Sequence, residues 1–347
     1  MKHRNSVKRV LAAALLVMVS SAQAGFSGVY LFGDSLTDTG NDGVVLTQIQ
    51  QAGIPVATTT DPAWVTSNAY VSTRPFDQGS FTNGVAWAVP FAQALGVNLM
   101  PSLLGGTNYA YGGAETGRDG TDLCPVLCDF PYSLKSQVGQ YLKPGTSADP
   151  NALYVVAGGG NNARNTIGAI AAASTPAERL GQINALAEAY AKNVGDIVDT
   201  LQAAGAQHIV VWDTPNIGLT PSVASFGADA QTLGLAMTGA MNSALAERLG
   251  GEAGVTTFSV FSLLNQVAAD PTAYGLSNAT DACAALGTAC DPTQYLFWDG
   301  VHPTATGHEL LADAMLAHVA AIPEPSTYAL MLGGLAAVGW FARRKAR

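Results

Sequence analysis

The sequence predicts an α/β fold, a parallel sheet covered on both faces by helices. Three observations carry this. Compact apolar runs at residues 29–32, 153–157 and 209–212 end abruptly in glycine or aspartate, as buried strands do. Ala/Leu-rich stretches with helix-start signals lie between the later runs. Strands that alternate with helices pair in parallel. No linker divides the 347 residues, and a hydrophobic fraction of 48% is ample for one large core.

Taken in order, the elements begin after a leader. Lys2, Arg4, Lys8 and Arg9 precede an apolar stretch from Val10 to Val19, followed by Ala22-Gln23-Ala24. A basic start, a short apolar run and a small-residue cleavage site mark residues 1–24 as a secretory signal peptide cut after Ala24. The first strand, Val29 to Phe32, stops at Gly33-Asp34-Ser35. That places a serine hydroxyl at the carboxyl end of a strand, where open α/β sheets put their sites. Residues 41–80 and 114–150 break the rhythm. Rich in Gly, Pro, Asn, Thr and Asp, they read as loops inserted on the site face of the sheet.

Leu153 to Ala157 is the second strand and runs into Gly158-Gly159-Gly160. Thr175-Pro176-Ala177-Glu178 is a capping box with proline at the first helical position. It opens a long helix that Gly205 ends. The third strand covers Ile209 to Trp212, a second helix residues 228–249, and a weaker strand residues 255–260. A last helix follows Thr304 to about residue 321.

The four cysteines all lie between the leader and the tail. An exported chain meets an oxidising compartment, so two disulfides are expected. Three pairings are open. Local closure of Cys124 with Cys128 and of Cys283 with Cys290 is preferred, because both lie in loop-like sequence. Zinc is disfavoured by spacings of four and seven with no histidine nearby. Residues 25–322 carry a formal charge near −16. Such a surface repels nucleic-acid phosphate and anionic lipid head groups, so no nucleic-acid partner is expected.

The chemistry lies in residues far apart. Trp298-Asp299-Gly300-Val301-His302-Pro303 supplies a carboxylate and an imidazole three residues apart. Serine is a poor nucleophile without a base within reach. With Ser35, these are the parts of a nucleophile, a base and an orienter. Pro303 biases His302 away from helical geometry, and Thr304 can cap the following helix. The other histidines read as bland: His208 and His318 structural, His308 on a helix surface. Trp298 reads as packing, and Asp38 and Asn41 as residues that order the serine loop.

Gly33-Asp34-Ser35-Leu36, Thr107-Asn108 through Gly112-Gly113-Ala114, Gly158-Gly159-Gly160-Asn161-Asn162 and Asp299-Gly300-Val301-His302-Pro303 occur in this order. Together they resemble the GDSL, or SGNH, family of esterases and lipases, over essentially all of residues 26–320. The resemblance implies a three-layer α/β/α sandwich with a central parallel sheet, flavodoxin-like, and a serine esterase that needs no metal or cofactor. It implies Ser35 as nucleophile, His302 as general base and Asp299 as orienter. The oxyanion donors it implies are the Ser35 N–H, the Gly113 N–H (with Gly112 as fallback) and the Asn161 side chain. Asp34 and Asn162 are supporting residues. At Asn162 the family usually has aspartate, so the local hydrogen bonding must differ. The Gly-x-Ser-x-Gly elbow of ordinary α/β-hydrolases is absent. Lipase or phospholipase action, O-deacetylation of exopolysaccharide, and a catalytically silent glycan-binding role are the rival readings.

At the other end, Ile322-Pro323-Glu324-Pro325-Ser326 precedes sixteen apolar or small residues and then Arg343, Arg344, Lys345 and Arg347. That is barely enough to span a bilayer as a transmembrane helix, with the basic cluster cytoplasmic. The order resembles the PEP-CTERM sorting tail. It implies transient membrane anchoring, an exosortase-type processing partner, and a Gram-negative envelope or extracellular destination. The domains are then 1–24, 25–322 and 323–347.

Overall fold

A computed structural model describes residues 25–321 and 343–344. The signal expected at 1–24 and the apolar span expected in the tail lie outside the described residues. Among the described residues no helix is long and apolar enough to cross a membrane. The chain divides into two units, Phe26–Leu316 and the terminal pieces Met1–Gly25 with Ala317–Arg347. The larger unit holds both sheets and the side chains of the site described below.

Four strands form the main sheet: β1 (Val29–Gly33), β2 (Leu153–Ala157), β3 (His208–Trp212) and β4 (Val255–Phe258). All pair in parallel, in the order β1-β2-β3-β4. The register aligns Gly33 with Ala157 and Ala157 with Trp212, so three strands end level. A separate parallel pair, β5 (Asn278–Ala282) and β6 (Tyr295–Phe297), leads to the Asp299–His302 segment. No strand was expected there.

The helices are α1 (Asn41–Gln51), α2 (Ala88–Ala94), α3 (Leu134–Tyr141), α4 (Gly160–Ala171), α5 (Pro176–Ala203), the single turn α6 (Pro221–Ala224), α7 (Ala228–Arg248), α8 (Val260–Ala269) and α9 (Ala305–Ala320). Alternate strand residues face opposite ways, and both faces are covered. Phe32, Tyr154, Val156, Ile209 and Val211 pack in one core with α3, α4, α5 and α7. On the opposite face Trp212 meets Trp87, ring centroids 4.4 Å apart, and Phe258 at 4.9 Å. This is the α/β/α sandwich expected.

Three local expectations change. Residues 41–51 and 134–141 are helical, not loop. The weak strand ends at Phe258, and Ser259 caps α8 by accepting the Ser262 N–H. His308 is buried rather than on a helix surface. Its Nδ1 accepts the Trp87 N–H at 3.1 Å, and burial pushes its pKa down to about 3. Both disulfides close locally, Cys124 with Cys128 and Cys283 with Cys290. Trp298 packs edge-on against Phe76.

Candidate active site

The site forms where the level ends of β1, β2 and β3 release their loops. The loops after β1 and β2 leave through glycines because neighbouring atoms crowd there. A Cβ on Gly33 would lie 2.7 Å from the Ala157 carbonyl oxygen, and one on Gly159, at φ +121°, 2.4 Å from Thr214 Oγ1. Only glycine tolerates both the space and the positive φ at position 159. The end of β1 is pinned by Gln137. Its side chain accepts the Gly33 N–H at 2.8 Å and donates to the Gly33 carbonyl at 2.8 Å.

From this edge Ser35 meets the distant Asp299–His302 segment. His302 Nε2 lies 2.9 Å from Ser35 Oγ, and His302 Nδ1 lies 2.8 Å from Asp299 Oδ2. Asp299 Oδ1 accepts the backbone N–H groups of Val301 and His302 at 2.9 and 2.8 Å. Oδ2 also accepts the Ser72 N–H at 2.9 Å. Burial pushes the Asp299 carboxyl up, but the His302 ring and these hydrogen bonds more than offset it and hold it below the usual range. The carboxylate therefore stays ionised beside the imidazole. The Phe81 ring packs on His302, centroids 5.2 Å apart. The Gly300 N–H donates to the Tyr70 carbonyl at 2.7 Å, so residues 70–72 brace the turn that carries Asp299.

The segments that carry the expected oxyanion donors are stitched together through space. The Tyr111 N–H donates to the Gly33 carbonyl. Asn108 Nδ2 donates to the Thr37 carbonyl at 2.7 Å. Asn41 Nδ2 donates to the carbonyls of Asn108 and Ala110. Asp38 Oδ1 accepts from the N–H groups of Gly40 and Asn41. Asp38 and Asn41 thus order the serine loop. The Gly112 N–H is taken by Asp42 Oδ1 at 3.1 Å, which removes the fallback donor. The N–H groups of Ser35 and Gly113 have no protein acceptor among the described residues. Asn161 Nδ2 donates to the Ala114 carbonyl at 3.0 Å, and its second amide hydrogen has no protein acceptor there. Asn162 Oδ1 accepts the Thr116 N–H at 3.1 Å, so the amide performs an acceptor role that needs no charge.

Asp34, Ser35, Gly113, Asn161 and His302 line one cavity. Asp34 Oδ1 accepts the Leu36 N–H, and burial raises its pKa to about 6 despite that bond. Sequence reasoning missed Ser72, Gln137, Asp42 and Arg164. Arg164 lines the same cavity and donates to Asn161 Oδ1 at 3.0 Å. Its spacing from Asn161, one helical turn, was the available signal.

A hydroxyl, an imidazole and a carboxylate thus stand in one hydrogen-bonded row at the carboxyl edge of a parallel α/β sheet. The chain belongs to the GDSL-like lipase/acylhydrolase family, whose family model matches residues 29–315. The PEP-CTERM protein-sorting motif matches residues 321–345. Esterase EstA of Pseudomonas aeruginosa is 30% identical over 348 residues, covering 89% of this chain and 50% of that protein. An uncharacterised protein of the trpE-trpG intergenic region of Pseudomonas putida is 31% identical, covering 88% of this chain and 51% of its own length. A GDSL esterase/lipase of Arabidopsis thaliana is 25% identical and is covered over 94% of its length. The chain thus spans about half the length of the two Pseudomonas relatives.

Proposed function

We propose that the chain is an exported serine ester hydrolase that acts on carboxylic esters through an acyl-enzyme on Ser35. The observation that carries this reading is the unbroken row Asp299–His302–Ser35. His302 Nε2 takes the Ser35 proton as Oγ attacks the ester carbonyl. Asp299 holds the Nδ1 tautomer and stabilises the imidazolium. The N–H groups of Ser35 and Gly113 and the Asn161 amide donate to the oxyanion. His302 then protonates the leaving alcohol. Water, deprotonated by His302, attacks the acyl-serine, releases the acid and restores Ser35.

In this reading residues 25–322 are the hydrolase domain, between a signal at 1–24 and a sorting tail at 323–347. The PEP-CTERM motif supports export to a Gram-negative envelope and an exosortase-type processing partner. Initial rates on p-nitrophenyl esters from acetate to palmitate, with the full chain and Ser35→Ala, test the activity. Turnover that falls by about 10⁴-fold or more in Ser35→Ala is expected. Turnover that survives the substitution overturns the assignment of the nucleophile. A short-chain optimum supports an esterase or deacetylase, and a long-chain optimum a lipase.

A further inference from the structure

Two opposite charges flank the expected oxyanion hole and do not pair with each other. Arg164, in the first turns of α4, is partly buried. Its one hydrogen bond among the described residues runs from Nη2 to Asn161 Oδ1. A guanidinium has five N–H donors, so most of its capacity is unused. Asp122 stands near the other expected donor. Its Oδ2 lies 3.8 Å from where a Cβ on Gly113 would sit. The Asp122 carboxylate makes no hydrogen bond or ion pair among the described residues. Both side chains line the cavity that holds Ser35 and His302.

The loop after β3 supplies Ile217 and Leu219, and α8, after β4, supplies Leu264. Arg164 follows β2. Asp122 stands by Gly113, in the segment tied to the end of β1 through Tyr111. The wall from the loop after β3 and from α8 thus carries three aliphatic side chains beside the uncharged Asn216 and Thr220, whereas the wall by Gly113 and Asn161 carries one strong donor and one strong acceptor. A purely alkyl group against the polar side would strip water from two charges and return nothing. An anionic group would meet Arg164 but also Asp122 and Asp34, in a domain already near −16. A pair of neighbouring hydroxyls satisfies both, one accepting from the guanidinium and the other donating to the carboxylate.

We propose that Arg164 and Asp122 form a specificity subsite for the uncharged, vicinal-diol alcohol of the ester, the chemistry shared by sugars and glycerol. The inference rests on the ester-hydrolase reading and names the alcohol side of its substrate.

Acetate release by the full chain, followed by pH-stat, tests it with three acetates: glycerol monoacetate, propyl acetate and a monoacetylated methyl glucoside. The first two share a three-carbon alcohol and differ in the hydroxyls. The subsite predicts a kcat/KM about tenfold or more higher for glycerol monoacetate than for propyl acetate. Asp122→Ala, on an exposed residue, should bring that ratio to within about threefold of one. Arg164→Met should lower the ratio as well and slow both esters, because Asn161 loses its partner. A ratio near one in the unaltered protein, or a ratio that survives Asp122→Ala, overturns the subsite while leaving the hydrolase intact. No Ser35-dependent release from any ester overturns the hydrolase reading and the subsite with it. Preference for the glucoside over the glycerol ester identifies a glycan source, and the reverse a glycerolipid; both support the subsite.

Discussion

Asp299 accepts four hydrogen bonds within the site, two on each carboxylate oxygen, and none of them reaches solvent. Asp299→Asn keeps the shape but offers an amide where His302 Nδ1 and the Ser72 N–H both need an acceptor. One of those donors must lose its partner, or the imidazole must adopt the wrong tautomer. We expect kcat to fall by about 10⁴-fold, with a smaller change in KM. A loss under tenfold, in steady-state kinetics on p-nitrophenyl acetate, would show that the imidazole is oriented by other groups. Ser35, Asp299 and His302 were legible in the sequence because each sits in a short local pattern whose residue types the chemistry demands. Gly113 and Asn161 came from the resemblance, and only the structure shows the Gly112 N–H occupied by Asp42. Ser72 and Gln137 act across 227 and 104 positions of chain through ordinary polar contacts. Nothing at either residue signals that partner.

Helix α5 shows where element-level reading succeeds. Thr175 Oγ1 accepts the Glu178 N–H at 3.1 Å, as a capping box requires. Glu178 Oε2 reaches back to the Ser174 N–H, one residue earlier than the reciprocal bond of that motif. Thr175→Ala removes the first of these acceptors and should cost about 1 kcal/mol of stability. Urea unfolding should show a lower midpoint with the slope unchanged and kcat unaltered. An unchanged midpoint would mean that water caps this terminus equally well. Helix α1 shows the opposite case. Its first residues, Asn41 and Asp42, are buried, because they hold the Asn108–Gly112 segment. A helix that buries polar side chains lacks the apolar stripe that periodicity seeks. The same polar residues that stitch the site together therefore made residues 41–51 look like loop. Helix α4 was missed for the same reason, since Asn161, Asn162 and Arg164 occupy its first turns.

Across the whole molecule, function-related burial sets how stability depends on pH. Asp34, Asp38 and Asp42 lie fully inside, close to Ser35 in the chain. Burial raises Asp34 and Asp38 to about 6. Asp42 is raised well above the usual value by burial and by the adjacent Asp38. A carboxyl whose pKa is higher folded than unfolded binds protons more tightly in the native state. Its contribution is complete below the unfolded value of 3.8 and is lost as pH rises through the folded value. For Asp34 alone the difference is on the order of 3 kcal/mol. The repulsion within a domain near −16 acts in the same direction as pH rises. Asp299 opposes it, as does Asp196, which Lys135 and Lys192 lower to about 2. Their contributions are present above the unfolded carboxylate value and fade as pH falls toward 2, and that of His308, held neutral by burial, is full above its unfolded value of 6.5 and fades as pH falls toward 3. Between pH 5 and 7 the three raised carboxyls beside the serine loop outnumber the opposing groups, so stability falls as pH rises there. Calorimetric melting at constant ionic strength should show Tm falling steadily from pH 5 to pH 7. Asp42→Asn, which keeps an acceptor for the Gly112 N–H and cannot ionise, should flatten that fall. A maximum at pH 7 to 8, or a slope indifferent to Asp42→Asn, would mean that water reaches these carboxyls and that the serine loop is not held by buried charge.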